Sequence, residues 1–131
     1  MAPIHDAARD ADVETLRRLL EEGVSPDATD FRAFTPLHRL CRRRNATGDY
    51  AACFKLLRDA GANLEATDIL GNRPLHCAVW QGNAGLLSLL VQSGVNVDAA
   101  LPGGSTPLHL AVRKRAIDCI EVLQSTIIFK S

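Results

Sequence analysis

The sequence predicts an all-α fold in which pairs of short helices stack into a solenoid, and a repeated motif is the main evidence for it. The motif TPLH occurs at residues 35–38 and 106–109, with close copies RPLH at 73–76 and APIH at 2–5. The histidines of the four copies are 33, 38 and 33 residues apart. Leucine pairs and glycines also recur in similar phase along the chain. A period of this length is typical of chains in which one helix pair is repeated and stacked.

The third unit shows the first helix of a pair most clearly. Pro74 follows Arg73 and suits the first position of a helix, where its missing N–H costs nothing. Gly82 interrupts the apolar pattern, which predicts a helix of about two turns. The apolar stripe of this helix consists of Leu75, Ala78 and Val79.

A second helix follows in the same unit. Asn83 can accept hydrogen bonds from the unpaired N–H groups at its start, and apolar residues between 86 and 91 form its stripe. Gly94 is expected to follow the helix in a left-handed conformation. Because neither helix can bury its stripe alone, each unit must stack on its neighbours.

These motifs resemble those of ankyrin-repeat proteins. The family pattern TPLHxA is complete at residues 106–111 and nearly complete, as RPLHCA, at 73–78. The resemblance covers essentially the whole chain and implies one domain, 1–131, of stacked helix-turn-helix pairs joined by β-hairpin-like turns. The approximate repeats are 1–30, 31–68, 69–101 and 102–131.

The first two repeats differ from the third in one respect each. In the first repeat Asp12 is expected to cap the second helix, and charged residues surround the apolar stripe, as is typical of a terminal repeat that faces solvent. The second repeat has five more residues than the third between its histidine and its capping glycine. These extra residues fall at 42–49, between its two helices.

The end of the fourth repeat leaves two alternatives open. Ile127 occupies the place of the capping glycine, and Ile128 and Phe129 follow it. Either the second helix continues and packs these side chains, or the chain is cut from a longer protein whose next element covers them. We expect the second, because an exposed apolar terminus invites association. The chain is expected to be monomeric unless such a cut leaves these side chains exposed.

Composition argues against several functional classes. Fifteen basic and fifteen acidic residues cancel, so no global charge attracts nucleic acid or an anionic membrane. No apolar run approaches the roughly 20 residues of a membrane-spanning helix. The N terminus also lacks the pattern of a secretory signal. We therefore expect a soluble protein of the cytoplasm or nucleus.

The cysteines and histidines are expected to be structural. Without a secretory signal, reduced and mostly buried thiols are favoured for the four cysteines. The resemblance implies that the motif histidines form hydrogen bonds within and between neighbouring turns, with His5 freer than the others. Arg73 stands where the family has threonine, so His76 should lack a hydroxyl partner. No zinc ligand set, catalytic constellation or phosphate-binding loop is formed, and no metal, cofactor or catalytic residue is predicted.

The recognition surface follows from the resemblance alone. Ankyrin arrays bind partners through their turn tips and first helices, which line a concave face. Less prominent positions on this face are Arg9, Asp10, Pro102, Gly103 and Ser105. The candidate partner-binding residues are Phe31, Arg32, Phe34, Arg42, Arg43, Ile69, Leu70, Asn72, Trp80, Gln81, Arg113 and Lys114. Aromatic and apolar groups with arginines nearby are typical of binding hot spots.

Structural explanations compete with this interpretation. Phe31 and Phe34 could fold back onto their turn, and Trp80 could fill a gap between helices. The basic run that begins at Arg39 and continues through 42–44 could simply complement a helix C-terminus.

The expected function is that of a non-catalytic protein–protein interaction module or scaffold that binds a partner protein through its concave face. An alternative is a regulatory or targeting module of a larger multidomain enzyme or signalling protein. Nucleic-acid binding by the arginine run is a third hypothesis, which the zero net charge disfavours.

Overall fold

The computed structural model describes residues 3–43 and 49–130, and it describes side chains as far as Thr126. The described part of the chain forms helices joined by turns and contains no strand. The helices are α1 (Pro3–Arg9), α2 (Val13–Glu21), α3 (Pro36–Cys41), α4 (Tyr50–Asp59), α5 (Pro74–Trp80), α6 (Ala84–Gln92), α7 (Pro107–Arg113) and α8 (Ile117–Lys130).

The helices form two rows, as the repeat pattern predicts. Within each pair the first helix packs on the second, and equivalent helices of successive pairs also contact each other. The first row is α1, α3, α5 and α7, and the second row is α2, α4, α6 and α8. One continuous core lies between the rows, with fully buried leucines at 16, 57, 86 and 90 among its members. All four cysteines are also buried and unpaired, as expected.

Local sequence signals set the helix boundaries. The side chains of Asp12 and Asn83 accept hydrogen bonds from the first turns of α2 and α6, at 3.2 and 3.1 Å. Thr35 and Thr106 cap α3 and α7 in the same way, and a proline follows each of them. Gly94 follows α6 with a φ of +88°, the left-handed conformation that glycine adopts at least cost.

Three loops precede the first helices of the second, third and fourth pairs. We name them loop 1 (residues 30–35), loop 2 (68–73) and loop 3 (101–106). Each is closed by one backbone hydrogen bond across its base, with lengths of 3.1, 2.9 and 2.9 Å. The loops are therefore hairpin-like turns without strand pairing.

The end of the chain differs from the other repeats. The helix α8 continues through the position of the missing glycine and reaches Lys130, which makes it the longest helix in the described residues. The alternative in which the second helix continues past Ile127 is therefore correct for the backbone. Most of the insertion in the second repeat, residues 44–48, lies outside the described residues. No helix within the described ranges is long and apolar enough to cross a membrane.

Candidate partner-binding surface

Buried histidines tie two of the first helices, α1 and α3, to the loops that follow them. The Nε2 atoms of His5 and His38 lie 2.8 Å from the backbone oxygens of Phe34 and Asn72, which occupy equivalent places in loops 1 and 2. The expectation that His5 is freer is therefore wrong for its Nε2 atom, although its Nδ1 atom has no hydrogen-bond partner among the described residues. Its motif is only a partial match, but the ring is completely buried and forms the same bond to the next loop.

The tautomer of His38 follows from the hydrogen bond at its second nitrogen. The Nδ1 atom of His38 accepts a hydrogen bond from the backbone N–H of Thr35 at 3.1 Å, so Nε2 carries the proton that is donated to the next loop. Thr35 also places its hydroxyl 2.9 Å from that Nδ1. At the equivalent position Arg73 offers only its backbone N–H to His76, as the sequence predicts.

Aspartate side chains hold loops 1 and 2 in shape. One carboxylate oxygen of Asp68 accepts hydrogen bonds from the N–H groups of Leu70 and Asn72, both at 2.9 Å. Asp30 does the same in loop 1 and also binds Arg39 at 2.6 Å. Burial alone would raise the pKa of Asp30, but the hydrogen bonds from Arg39 and the loop backbone hold it below its usual value.

Loop 3 lacks this support. Leu101 occupies the place of the two aspartates and has no side-chain oxygen with which to accept from the loop N–H groups. Loops 1 and 2 are also joined by a hydrogen bond from Ile69 N to Arg32 O at 3.0 Å. The residue in the place of Ile69 in loop 3 is Pro102, which has no N–H, so the equivalent bond to loop 2 cannot form.

His76 shows the same departure. Its Nε2 atom lies 2.8 Å from Ala99 O, before the start of loop 3. The equivalent of the acceptors used by His5 and His38 would be Ser105 O, inside that loop. The histidine hydrogen bonds that hold loops 1 and 2 against the preceding helices thus have no equivalent at loop 3 within the described residues.

A cleft lies between loop 2 and loop 3, above α5. Its volume is about 510 Å³, which is within the roughly 300–1,000 Å³ of typical ligand sites. Residues 101–103 form one wall. Five of the residues selected from the sequence also line it, namely Arg42, Leu70, Asn72, Trp80 and Gln81. His76 and Cys77 lie at its floor and were not selected.

The large apolar candidates on loops 1 and 2 are exposed, with one exception. Phe31, Ile69 and Leu70 are 83%, 71% and 71% exposed, and Trp80 on α5 is 49% exposed. The structure therefore does not support the view that Phe31 folds back or that Trp80 fills a gap. Phe34 is different, because it is only 4% exposed and its ring is a buried part of loop 1.

Arginines explain the burial of Phe34. The guanidinium carbons of Arg39 and Arg42 lie 4.6 and 4.9 Å from its ring centre, and His38 contacts it from the next helix turn. The position of Phe34 in a loop predicts an exposed ring. The structure shows that the guanidinium groups of Arg39 and Arg42 cover it. We therefore exclude its ring from the contact surface.

The basic candidates are used in different ways. Arg43 donates a hydrogen bond to the backbone oxygen of Arg9, so it links the first two repeats. Lys114 places its Nζ atom 4.5 Å from the centre of the Trp80 ring, and Arg113 donates to the Ser105 hydroxyl at 3.3 Å. Arg32 lies over the exposed ring of Phe31, at 5.4 Å.

The cysteine thiols have no reactive character. Burial raises the pKa of Cys77 to about 12, although the neighbouring Arg42 acts in the opposite direction. Burial likewise raises the pKa of Cys53 and Cys119 to about 11 and that of Cys41 well above its usual value. A thiol with such a pKa is a poor nucleophile at neutral pH. The described residues bring together no cluster of potential metal ligands.

The stacked helix pairs, the interlocking histidines and the projecting loops define a helical solenoid of the repeat-protein class. The family model of ankyrin repeats in three copies matches residues 4–100 and, in a second overlapping match, 46–128. The chain belongs to the ankyrin-repeat family, whose repeats are protein–protein interaction modules.

Similar proteins include both small and large members of the family. NF-kappa-B inhibitor alpha from Sus scrofa is 36% identical over 68% of this chain and 29% of its own length. Ankyrin repeat domain-containing protein 37 from Homo sapiens is 40% identical over 61% of this chain and 48% of its length. The potassium channel SKOR from Arabidopsis thaliana is 38% identical over 60% of this chain and 9% of its length. The matched part of the chain thus spans less than half of each of these relatives.

Proposed function

We propose that this chain is a non-catalytic recognition module that binds a partner protein through its concave face, formed by loops 1–3 and the exposed parts of α3, α5 and α7. The observation that carries the proposal is the exposure of Ile69, Leu70 and Trp80 beside a cleft of about 510 Å³. The stacking core does not need these side chains. Apolar and aromatic side chains that surround a cleft are typical of binding hot spots.

The structure favours a rigid binding surface. Loops 1 and 2 are held by aspartate side chains, by histidines of the preceding helices and by their mutual backbone bond. A partner therefore meets a surface with few groups left to order, which lowers the entropic cost of association. The four cysteine thiols are buried, so none of them offers an accessible nucleophile to a substrate.

A second candidate is a regulatory or targeting module within a longer protein. It is favoured by the similarity to the potassium channel SKOR, of which the matched region is only 9%. In such a protein the same concave face would bind another domain or a separate partner. The two candidate functions use the same surface. They differ in whether the bound partner is a separate protein or another domain of the same protein.

An affinity capture from cell lysate tests the proposal. The bait is compared with a variant that carries Ile69→Ala, Leu70→Ala and Trp80→Ala, and with a control that carries Ile117→Ala. Ile117 is also exposed, but it lies at the start of α8 in the second row of helices. Proteins lost from the triple variant and kept by the control are expected. If the triple variant captures the same proteins as the unchanged chain, with equal helicity and melting temperature, the proposal is wrong.

A further inference from the structure

We infer that the cleft between loops 2 and 3 binds an extended, acidic segment of a partner protein, with an apolar side chain against Trp80 and carboxylates facing Arg42 and Lys114. The inference rests on the proposed function and adds to it the location of the site and the chemistry of the occupant. Four observations support it, on the walls, the charges, the loop backbone and the distribution of acidic residues.

The walls of the cleft suit an apolar anchor. Leu70, Trp80, Leu101 and Pro102 all line it, and the lining surface is mainly apolar. Pro102 packs so closely on loop 2 that a Cβ atom on Gly71 would lie 2.8 Å from its Cδ. Because Pro102 has no N–H, the hydrogen bond that joins loops 1 and 2 has no equivalent between loops 2 and 3, and the cleft remains open above this contact. Its volume is enough for a large apolar side chain with adjoining backbone.

The rim of the cleft carries cations without carboxylate partners. Within the described part of the chain, Arg42, Arg113 and Lys114 contact aromatic rings, a thiol or a hydroxyl, and none of them forms an ion pair. Arg32 on loop 1 is in the same position, over Phe31. A partner carboxylate would thus meet cations that no internal acid neutralises.

The acidic residues near the cleft do not compensate these charges. Asp30 and Asp68 point into their own loops, where backbone N–H groups bind them. All other carboxylates lie outside loops 1–3 and outside α3, α5 and α7. Loops 1–3 and the helices α3, α5 and α7 therefore carry a local excess of cations, although the net charge of the chain is zero.

The backbone of loop 3 adds two donors. In loop 2 the N–H groups of Leu70 and Asn72 converge on one oxygen of Asp68. The equivalent N–H groups in loop 3 belong to Gly103 and Ser105, and Leu101 offers them no acceptor. A carboxylate of the occupant can take the place that an internal aspartate holds in the other loops.

A random peptide library displayed on phage tests the inference without knowledge of the partner. It is selected on the full chain, on an Arg42→Glu, Lys114→Glu variant, and on a control with Arg17→Glu and Lys55→Glu. The control changes the net charge equally, but on the second row of helices. Peptides with aspartate or glutamate on both sides of an apolar residue should be enriched on the full chain and the control, and not on the cleft variant.

The enriched peptide is then titrated against the full chain. Trp80 is the only tryptophan, so its fluorescence reports occupation of the cleft directly. We expect a change in Trp80 emission and an affinity about tenfold weaker in the cleft variant, since two charge pairs at a rim are each worth about 0.2–1 kcal/mol. A single-stranded oligothymidylate serves as the competing anion and is expected not to displace the peptide.

Several outcomes would overturn the inference. These are enrichment of neutral or basic peptides, equal enrichment on the cleft variant, no enrichment at all, unchanged Trp80 emission, or tighter binding of the oligonucleotide. The proposed function fails separately. If the triple alanine variant loses lysate partners but the selected peptides are not acidic, the concave face still binds a protein and only the chemistry of the occupant is wrong.

Discussion

The Nε2 atom of His38 donates a hydrogen bond of 2.8 Å to the backbone oxygen of Asn72, a residue of the next repeat. The same ring accepts from Thr35 N at its other nitrogen, so it joins the start of α3 to loop 2. This relationship recurs from His5 to Phe34, whereas His76 reaches Ala99 before loop 3. The hydrogen bonds of His5 and His38 therefore fix the position of the next loop relative to the helix pair. At the cleft this bond is different, because His76 bonds to a residue before loop 3.

Replacement of His38 should cost much of the stability of the array. His38→Ala leaves the buried N–H of Thr35 without its partner, removes one of the two hydrogen bonds to the Asn72 carbonyl and creates a cavity, for an expected loss of about 2–4 kcal/mol in the free energy of unfolding. Urea denaturation followed by circular dichroism at 222 nm, the usual wavelength for helix content, measures it.

His109 provides the matched control for this prediction. It ends the same motif and accepts from Thr106 N, but the ring is exposed and, among the described residues, forms no bond to a further loop. His109→Ala should cost about 1 kcal/mol or less. Equal losses in the two variants would show that the bond between repeats contributes nothing.

Stability should fall as the solution becomes mildly acidic. Burial lowers the pKa of His38 and His76 below the value of about 6.5 in the unfolded chain. The unfolded chain therefore takes up these protons first. The contribution of the two neutral rings to the free energy of unfolding is fully present above pH 6.5. It is lost as the pH falls from there through the lower pKa of the folded chain, by at most about 1.4 kcal/mol per pH unit for each ring.

Urea denaturation between pH 7.5 and pH 5.5 checks the sign of this effect. Asp30 affects stability only at lower pH. Its contribution to the free energy of unfolding is fully present above a pH of about 3.8, and it is lost only as the pH falls through the lower pKa of Asp30 in the folded chain. His76→Ala should reduce the slope of stability against pH. A stability that is constant or rises toward pH 5.5 would contradict the prediction.

Much of the fold follows from the sequence because local signals and the repeat agree. Proline after threonine marks α3 and α7, Asn83 and Gly94 bound α6, and the cysteines follow apolar patterns into the core. These signals act within a few residues of one another. They are consistent with the stacking that the period requires, which is why element positions are predictable.

The candidate site is less predictable because it depends on contacts between distant residues. The burial of Phe34 requires arginines from the following helix, and the tie of His5 requires loop 1 to lie beside α1. Leu101 was missed although a signal exists. When the three loops are aligned in register, aspartate occupies its place twice and leucine once. That substitution marks the loop that forms one wall of the cleft.

Two glycines separate the cost of backbone strain from that of packing. Gly61 and Gly71 have φ values of +89° and +84°, but a Cβ on Gly61 meets open space and one on Gly71 meets Pro102. Gly61→Ala should cost about 1–2 kcal/mol from the left-handed conformation alone. Gly71→Ala should cost about 1–3 kcal/mol more, because Pro102 must move.

Thermal and urea denaturation of both variants measure this difference. A Pro102→Ala change added to Gly71→Ala should remove most of the extra cost, since it deletes the ring that the new methyl group meets. The same addition to Gly61→Ala should show no such recovery. If the two glycine variants are equally stable, the loops do not pack as closely as described.

The missing cap of α5 can be restored. Arg73 provides no side-chain hydrogen bond to the helix start, whereas Thr35 accepts from His38 N at 3.3 Å. Arg73→Thr should therefore be about 1 kcal/mol more stable than Arg73→Ala. Both changes remove the 3.2 Å ion pair with Glu65, which is partly exposed and worth at most about 1 kcal/mol, so the comparison isolates the cap. Equal stability of the two variants would contradict the capping role.

The cysteines should report unfolding rather than chemistry. All four thiols are buried, and burial raises the pKa of Cys77 to about 12 and of Cys53 to about 11. A thiol reagent such as dithionitrobenzoate, applied at pH 8, should therefore react only at the rate at which the folded chain opens. In urea all four thiols should react at once.

Cys77 lies on the cleft floor, so rapid reaction of one thiol in the native chain, abolished by Cys77→Ala, would show that loop 3 opens without global unfolding. An acidic peptide bound in the cleft should slow that local reaction, and it should also slow the global reaction because it stabilises the folded chain.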